Sequence, residues 1–179
     1  MSIADLNLQR DVLNEVDRMK NATCVPKSKD QVGTEVLENF HARADARGKT
    51  FEADEPEYKA GGRDAGPRPL EYFLAGFAFC QGAIYVENAL QNGLAHDGLS
   101  IEVDGDIDPR GTLGIDDFPP GFADNQLTYR TSIESPETED DIRRLVAEAE
   151  EFCPANAALR NPMPFDRTIQ LNGEPLDGI

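Results

Sequence analysis

Two cysteines offer the clearest chemistry in this sequence. Cys80 lies in a long apolar segment, where a lone thiol is ordinarily a small packing residue. Cys153 stands directly before Pro154, a position at which a helix can begin, and the free N–H groups of a helix N-terminus favour a thiolate. The two thiols are 73 residues apart. They are either a nucleophile with its resolving partner or two separate packing residues, and spacing alone leaves both interpretations open.

Other catalytic arrangements lack support in the sequence. There is no Gly-rich phosphate-binding loop, and His41 and His96 are far apart and belong to no zinc-binding pattern. Three aspartates alternate as they do in a calcium loop: Asp104, Asp106 and Asp108. Pro109 stands where such a loop would continue and no bidentate Glu follows, so a solvated acidic turn is the better interpretation. We therefore expect neither a metal nor a cofactor.

The charge balance restricts the partners. Asp and Glu number 34 against 17 Lys and Arg, which gives a formal charge of −17. Such a surface repels phosphate and no Lys/Arg-rich run occurs, so we expect no nucleic-acid partner and no anionic membrane surface. Acidic residues spread along the whole chain suit a protein kept soluble at high salt, and the alternative is an ordinary acidic protein of the cytosol.

The sequence predicts a cytoplasmic protein. The N-terminal residues contain no basic segment followed by an apolar core, so no secretory signal is expected. The longest apolar run, residues 72–80, has nine residues, whereas a bilayer-spanning helix needs about 20. Three cysteines without an export signal do not indicate a disulfide scaffold. Cys24, in a polar loop, is expected to be an exposed bystander.

Helical periodicity places Cys80 on a long helix. Apolar residues at helical spacing predict three helices: residues 6–20, 70–92 and 136–152. The second is apolar on nearly every face in its first half and stops at Gly93, so we expect it to be the buried central helix. Ser135 is the expected N-cap of the third. Cys153-Pro154 ends that helix and opens a short one through Leu159.

Alternating apolar and polar residues predict the strands. Two strands between residues 34 and 55 flank a turn at Asp45-Ala46-Arg47-Gly48. Residues 99–103 and 127–133 each predict a strand with one solvated face, and residues 167–171 a final strand. With 179 residues, the chain has the length of one domain.

Both cysteine segments resemble motifs of one known family. The first cysteine ends the string Pro69-Leu-Glu-Tyr-Phe-Leu-Ala-Gly-Phe-Ala-Phe-Cys80, which follows a Gly-Gly-Arg-Asp-Ala-Gly-Pro connector. The second begins the string Cys153-Pro-Ala-Asn-Ala-Ala-Leu-Arg-Asn-Pro162. In this order they resemble the two cysteine motifs of the OsmC / organic hydroperoxide resistance (Ohr) family. The resemblance covers residues 34–171, and the chain looks like a divergent OsmC-like member.

The resemblance implies an α+β fold. In this OsmC-like fold, two β-sheets are wrapped around long central helices in an intertwined homodimer. The corresponding organisation is an N-terminal helix and loop extension over residues 1–33, followed by an OsmC-like domain over residues 34–179. Because the surface is so acidic, we expect the dimer interface to be apolar.

The resemblance also implies thiol-dependent reduction of organic hydroperoxides without a cofactor. Cys80 would be the peroxidatic thiol and Cys153 the resolving thiol, and a thiol or dithiol reductant would restore the pair. Nearby aromatic residues would favour fatty or aromatic substrates over hydrogen peroxide, although core packing is the alternative for them: Phe73, Phe77, Phe79 and Tyr85.

The family also supplies an Arg beside the first cysteine and a Glu that orients it. Arg43 is the best positional match for the Arg, with Arg47 as its competitor. The family carries this Glu ten residues before the cysteine, where this chain has Leu70. The nearest carboxylate is that of Glu71, nine residues before Cys80. At about 100° per residue, nine steps put Glu71 opposite Cys80 on a regular helix.

The sequence therefore leaves open a second function as an alternative to the peroxidase. In this alternative the chain is a non-catalytic OsmC-like dimer that binds an apolar small-molecule ligand, and both cysteines are vestigial. A reactive thiolate at Cys80 would distinguish the two, because a ligand carrier has no use for one.

Overall fold

The computed structural model describes residues 6–25, 27–161, 163–164 and 166–176. Residues 1–5 of the predicted N-terminal extension, Pro162 of the second cysteine motif and the last three residues of the predicted domain lie outside this description. The helices are α1 (Leu6–Asn21), α2 (Pro69–Asn92), α3 (Pro109–Thr112), α4 (Glu139–Phe152) and α5 (Pro154–Arg160). The strands are β1 (Gly33–Glu38), β2 (His41–Ala46), β3 (Lys49–Ala53), β4 (Gly98–Asp104), β5 (Thr128–Glu134), β6 (Gln170–Leu171) and β7 (Glu174–Pro175).

Strands β1, β2 and β3 form an antiparallel sheet in sequence order. The predicted turn joins β2 to β3, with Arg47 and Gly48 both at positive φ, as a two-residue hairpin loop requires. The sequence predicted two strands here, whereas the structure has three. The turn between β1 and β2 was missed because its residues, Asn39 and Phe40, include neither Gly nor Pro. Asn39 makes that turn at φ 53°, a conformation that Asn tolerates better than most residues.

Helix α2 has well-defined ends. At its start, the Glu71 carboxylate accepts a hydrogen bond from the Arg68 N–H at 2.8 Å, which satisfies a donor that the first turn leaves free. At its end, Gly93 takes the left-handed conformation at φ 68°. The Leu94 N–H then donates to the Ala89 carbonyl at 2.9 Å, which closes the last turn.

The core lies where α2 meets α4 and the β4–β5 hairpin. Tyr85 and Ala89 of α2 pack against Leu145 and Ala149 of α4. Alternate residues of the two strands add to this cluster from the other side: Leu99, Ile101 and Ile133. Strands β4 and β5 therefore bury one face, as their alternating pattern predicted. The observed fold is α+β.

The first half of α2 is buried within the chain on one face alone, whereas the sequence predicted a buried central helix. Phe73 is 46% exposed and Phe79 is 76% exposed. The buried stripe of α2 instead includes Phe77, Gln81 and Tyr85. The β1–β3 sheet contacts the start of this half through Tyr72, whose hydroxyl donates to the Glu52 carbonyl at 2.6 Å. An apolar helix surface is therefore left open.

Helix α2 is also long and apolar enough, by length and composition alone, to cross a bilayer. The sequence argument counted only its longest uninterrupted apolar run and therefore put it below that limit. The core helix of a folded domain meets the same criterion. Helix α2 packs against α4 and β4, as the core helix of a folded domain does.

Two expectations for the C-terminal part were wrong in detail. Thr138, and not Ser135, is the N-cap of α4, and its side chain accepts from the Asp141 N–H. The Ser135 hydroxyl instead donates to the Ala95 carbonyl at 2.6 Å, which ties the segment before α4 to the α2–β4 loop. The predicted final strand shortens to β6, which pairs with β7 in a small hairpin.

Candidate dithiol site

The fold brings Cys80 and Cys153 together. Their sulfur atoms lie 3.6 Å apart, with the Cys153 thiol donating to Cys80 Sγ. Both are free thiols, and Cys24 is a third free thiol on the surface. A disulfide bond is about 2 Å long, so the two sulfurs need to approach by about 1.5 Å to form one. The pair is therefore placed for thiol–disulfide chemistry.

Cys153 is held at the junction of two helices. Its N–H donates to the Ala149 carbonyl and closes α4, while Pro154, which has no N–H to donate, begins α5. The Cys153 sulfur accepts from the Asn156 N–H at 3.5 Å and so serves as the N-cap of α5. The Asn156 side chain fixes this corner further by donating to the Glu150 carbonyl at 2.6 Å. The Cys-Pro sequence thus defines both the corner and the sulfur position.

Burial controls the protonation of Cys153. Its side chain is 0% exposed, and desolvation raises the pKa of the thiol because the thiolate loses its water. The Asn156 N–H lowers the pKa and the neighbouring Cys80 raises it, so the net direction is upward. The sequence argument that a helix N-terminus favours a Cys153 thiolate is therefore wrong for the resting site. Cys153 keeps its proton and offers it to Cys80.

An apolar cavity of about 650 Å³ lies between α2 and α5. Its lining includes Phe73, Gly76 and Phe77 of α2, and Ala155 and Leu159 of α5. Gly76 precedes Cys80 by one helical turn, and Ala155 follows Cys153 by two residues, so the cavity adjoins the dithiol.

The other aromatic residues singled out from the sequence lie elsewhere. Tyr85 belongs to the core cluster. Phe79 borders a separate groove with Ile101 and Val103. Two of the four aromatic residues therefore line the cavity beside the cysteines.

The predicted cation is not beside Cys80 within one chain. The Arg43 guanidinium pairs with the Glu35 carboxylate at 3.0 Å across the β1–β2 ladder, and Arg47 is exposed in the hairpin turn. Among the residues that the structure describes, no hydrogen bond or ion pair joins Cys80 to Lys, Arg or His. Glu71 caps the start of α2, in agreement with its expected position away from the thiol.

Sequence reasoning missed two polar residues near the sulfurs. Asn156 holds the Cys153 corner, as described above, and follows it by three residues, the spacing of an N-cap interaction. Gln81 follows Cys80 and is 1% exposed, with neither amide atom hydrogen-bonded among the described residues. A Gln within the most apolar segment of the sequence was the signal that could have drawn attention to it.

The fold and the dithiol define a class: an α+β protein with two free thiols held close together by its helices, next to an apolar cavity. The OsmC-like protein family matches residues 61–167. The chain belongs to this family. No curated protein sequence matches it closely enough to count as a relative.

Solved structures share the fold. An OsmC-like protein from Mycoplasma pneumoniae superposes with a TM-score of 0.64 at 22% identity, over 76% of this chain and 91% of that one. An organic hydroperoxide resistance protein OsmC from Legionella pneumophila gives 0.55 at 18% identity, over 76% and 92%. The organic hydroperoxide resistance protein OhrB of Bacillus subtilis gives 0.51 at 20% identity, over 75% and 93%. At these identities the likeness establishes the fold.

Proposed function

We propose that this chain is a cytoplasmic thiol-dependent peroxidase that reduces organic hydroperoxides through Cys80 and Cys153. The observation that carries the proposal is the 3.6 Å separation of the two sulfurs beside an apolar cavity. Family membership supports it, because the family includes organic hydroperoxide resistance proteins. Such an enzyme serves in defence against oxidative stress.

In the proposed reaction, Cys80 attacks first because it is the more accessible sulfur and the hydrogen-bond acceptor of the pair. Its thiolate attacks one oxygen of the hydroperoxide, the O–O bond breaks, and the alkoxide leaves and takes up a proton as the alcohol. Cys80 becomes a sulfenic acid. Cys153 then attacks this sulfur, the S–O bond breaks, water leaves with the Cys153 proton, and the disulfide forms. One dithiol or two monothiols restore the pair.

The cavity favours hydroperoxides with a large apolar part. Its walls are mainly aromatic and aliphatic side chains, including Phe73, Phe77 and Leu159. Each buried CH₂ group contributes about 0.8 kcal/mol, or roughly a fourfold gain in binding. Hydrogen peroxide has no apolar part to bury, so an aromatic hydroperoxide is the better substrate.

We propose that the working form is a homodimer. The apolar side chains of Phe79 on α2 and of Val36 and Leu37 on β1 are exposed in one chain. Apolar surfaces of this kind are typical of protein interfaces. A second copy that covers them would also bring its own β1–β3 sheet, and with it Arg43 or Arg47, toward Cys80. That cation would favour the Cys80 thiolate.

The test is peroxide consumption by the Cys24→Ser protein with dithiothreitol. We expect faster turnover of cumene hydroperoxide than of hydrogen peroxide, with complete loss in Cys80→Ser. Cys153→Ser should turn over much more slowly, because external thiol must then resolve the Cys80 sulfenic acid. A folded protein that consumes neither peroxide would contradict the proposal.

The apolar cavity also supports a second candidate, a non-catalytic carrier of an apolar small molecule. The carrier needs no reactive thiol, so alkylation separates the two candidates. In the Cys24→Ser background, iodoacetamide should label Cys80 at pH 6 much faster than a free cysteine if the residue is a nucleophile. Labelling at the rate of free cysteine, together with tight binding of an apolar dye, would favour the carrier.

A further inference from the structure

The resting distance between the two sulfurs is close to that of two sulfurs bound to one shared atom. At 3.6 Å, the sulfurs need to approach by about 1.5 Å to form a disulfide. Two thiolates that bind one soft atom through bonds of about 2.3 Å have their sulfurs farther apart. Their separation is about 4.6 Å at a linear centre, about 3.8 Å at a tetrahedral centre and about 3.5 Å at a pyramidal centre with an angle of about 100°. The observed distance therefore fits a tetrahedral or a pyramidal centre.

The surroundings of the sulfurs distinguish these two geometries. A tetrahedral Zn²⁺ ion takes four ligands, whereas the described residues contain no group of three His, Cys, Asp or Glu side chains that could hold a metal ion. Cys153 is 0% exposed, so solvent cannot complete the ligand set from its side. The Asn156 N–H that contacts its sulfur is a donor and not a ligand. A three-coordinate atom needs only the two sulfurs and one group from outside.

Burial also favours a neutral adduct. Desolvation raises the pKa of the Cys153 thiol, so a species that leaves a charge on this sulfur is disfavoured. Trivalent arsenic with one organic substituent is a soft, three-coordinate, pyramidal atom. Its adduct with two thiols carries no charge. Such an arsenical therefore fits both the distance between the sulfurs and their burial.

We propose that the Cys80–Cys153 dithiol binds trivalent arsenicals of the form R–As=O, in which R is an organic group. Cys80 adds first because it is the more accessible sulfur, and Cys153 then closes the chelate. Two As–S bonds form, both bonds from arsenic to oxygen break, and the oxygen leaves as one water molecule with the two thiol protons. The oxidation states of arsenic and sulfur do not change. Because Cys153 is fully buried, R points away from it, on the accessible side of Cys80.

The experiment titrates the reduced Cys24→Ser protein with phenylarsine oxide in the presence of 2-mercaptoethanol, and equilibrium dialysis measures the bound arsenic. We expect one arsenic per chain. Native mass spectrometry should show an adduct that has lost one water, and thiol counting after gel filtration should find neither Cys80 nor Cys153 free. The dithiol 2,3-dimercaptopropanol should release the arsenical. An adduct that keeps one free thiol would overturn the proposal.

The advantage of binding through two sulfurs has a calculable size. Each 2-mercaptoethanol molecule competes with one protein thiol, so the gain from the second sulfur equals its effective concentration divided by the concentration of 2-mercaptoethanol. With an effective concentration of only about 1 M, the parent protein should bind about 10³ times more tightly than a single-thiol variant at about 1 mM 2-mercaptoethanol, and about 10² times more tightly at about 10 mM. A merely more reactive Cys80 would give the same ratio at both concentrations.

The matched control is Cys153→Ser in the chain that keeps Cys24. This variant and the Cys24→Ser parent both have two thiols, but only the parent has the adjacent pair. Ser is a good helix N-cap, so the start of α5 should be preserved. We expect the control to bind as weakly as a single thiol. Equal binding by the control and the parent, or a ratio that does not change with 2-mercaptoethanol, would overturn the proposal.

This inference does not rest on the proposed peroxidase. Chelation needs no peroxide, so a protein that consumes no hydroperoxide can still bind the arsenical. Conversely, hydroperoxide turnover by a protein that fails the titration would leave the peroxidase proposal intact and refute the arsenical site alone.

Discussion

Replacement of Cys153 by Ser should convert a short-lived Cys80 sulfenic acid into a long-lived one. Ser is a good helix N-cap, so its hydroxyl should accept from the Asn156 N–H in place of the sulfur and preserve the corner between α4 and α5. Only the resolving nucleophile is then lost. The experiment uses the Cys24→Ser background, which removes the exposed third thiol.

The magnitude follows from the sulfur separation. Groups held about 3–3.5 Å apart reach effective concentrations up to about 10⁵ M or more, and the observed 3.6 Å approach is close to that range. Even an effective concentration of only about 1 M for Cys153 exceeds 1 mM external thiol by about 10³-fold. We therefore expect the sulfenic acid to persist at least about 10³ times longer in Cys153→Ser than in the parent protein at that thiol concentration.

The assay is rapid mixing with one equivalent of cumene hydroperoxide, followed by dimedone trapping and mass spectrometry of the Cys80 peptide. Cys80→Ser should give no adduct and serves as the control. Equal sulfenic acid lifetimes in the parent and Cys153→Ser proteins would refute the reasoning, because Cys153 would then take no part in resolution.

Three further predictions concern stability and assembly. Burial opposes ionisation of Asp54, but the backbone N–H groups of Glu55, Ala65 and Arg63 together hold its pKa below the usual value. The ionised carboxylate therefore stabilises the fold above the unfolded pKa of about 3.9, and this contribution is lost as pH falls through the folded pKa. Asp54→Asn should lower the Tm of the protein at pH 7. An equal Tm difference between the two proteins at pH 7 and at pH 2.5 would contradict this. Leu145→Ala removes a buried core side chain and should cost about 2–5 kcal/mol in urea unfolding, and a loss below 1 kcal/mol would place the core elsewhere. Phe79→Asp should convert the proposed dimer into a folded monomer in light scattering, whereas a parent protein that is monomeric across a salt series would refute the dimer.

Local signals predicted most of the secondary structure. The Gly93 stop, the Arg47-Gly48 turn and the Cys153-Pro154 corner depend on the backbone preferences of single residues, and each lies where the sequence placed it. The N-cap of α4 was misplaced because Ser135 and Thr138 are both capable caps. The choice between them depends on the Ala95 carbonyl, which only the folded chain brings to Ser135.

The site was less accessible to sequence reasoning. The approach of the two sulfurs is a tertiary contact over 73 residues, and no local pattern determines it. The protonation of Cys153 was misjudged because the helix N-terminus was visible in the sequence, whereas the complete burial of the thiol was not.

The position of Cys153 couples oxidation to the backbone. The same sulfur caps α5 and is one of the two atoms that would form the disulfide. Pulling it toward Cys80 lengthens or redirects its contact with the Asn156 N–H, so the first turn of α5 loses its cap when the pair is oxidised. Since α5 also forms one wall of the apolar cavity, each turnover would loosen the binding site just after the alcohol product is formed. In the proposed reaction, oxidation of this one sulfur would thus be coupled to release of the product.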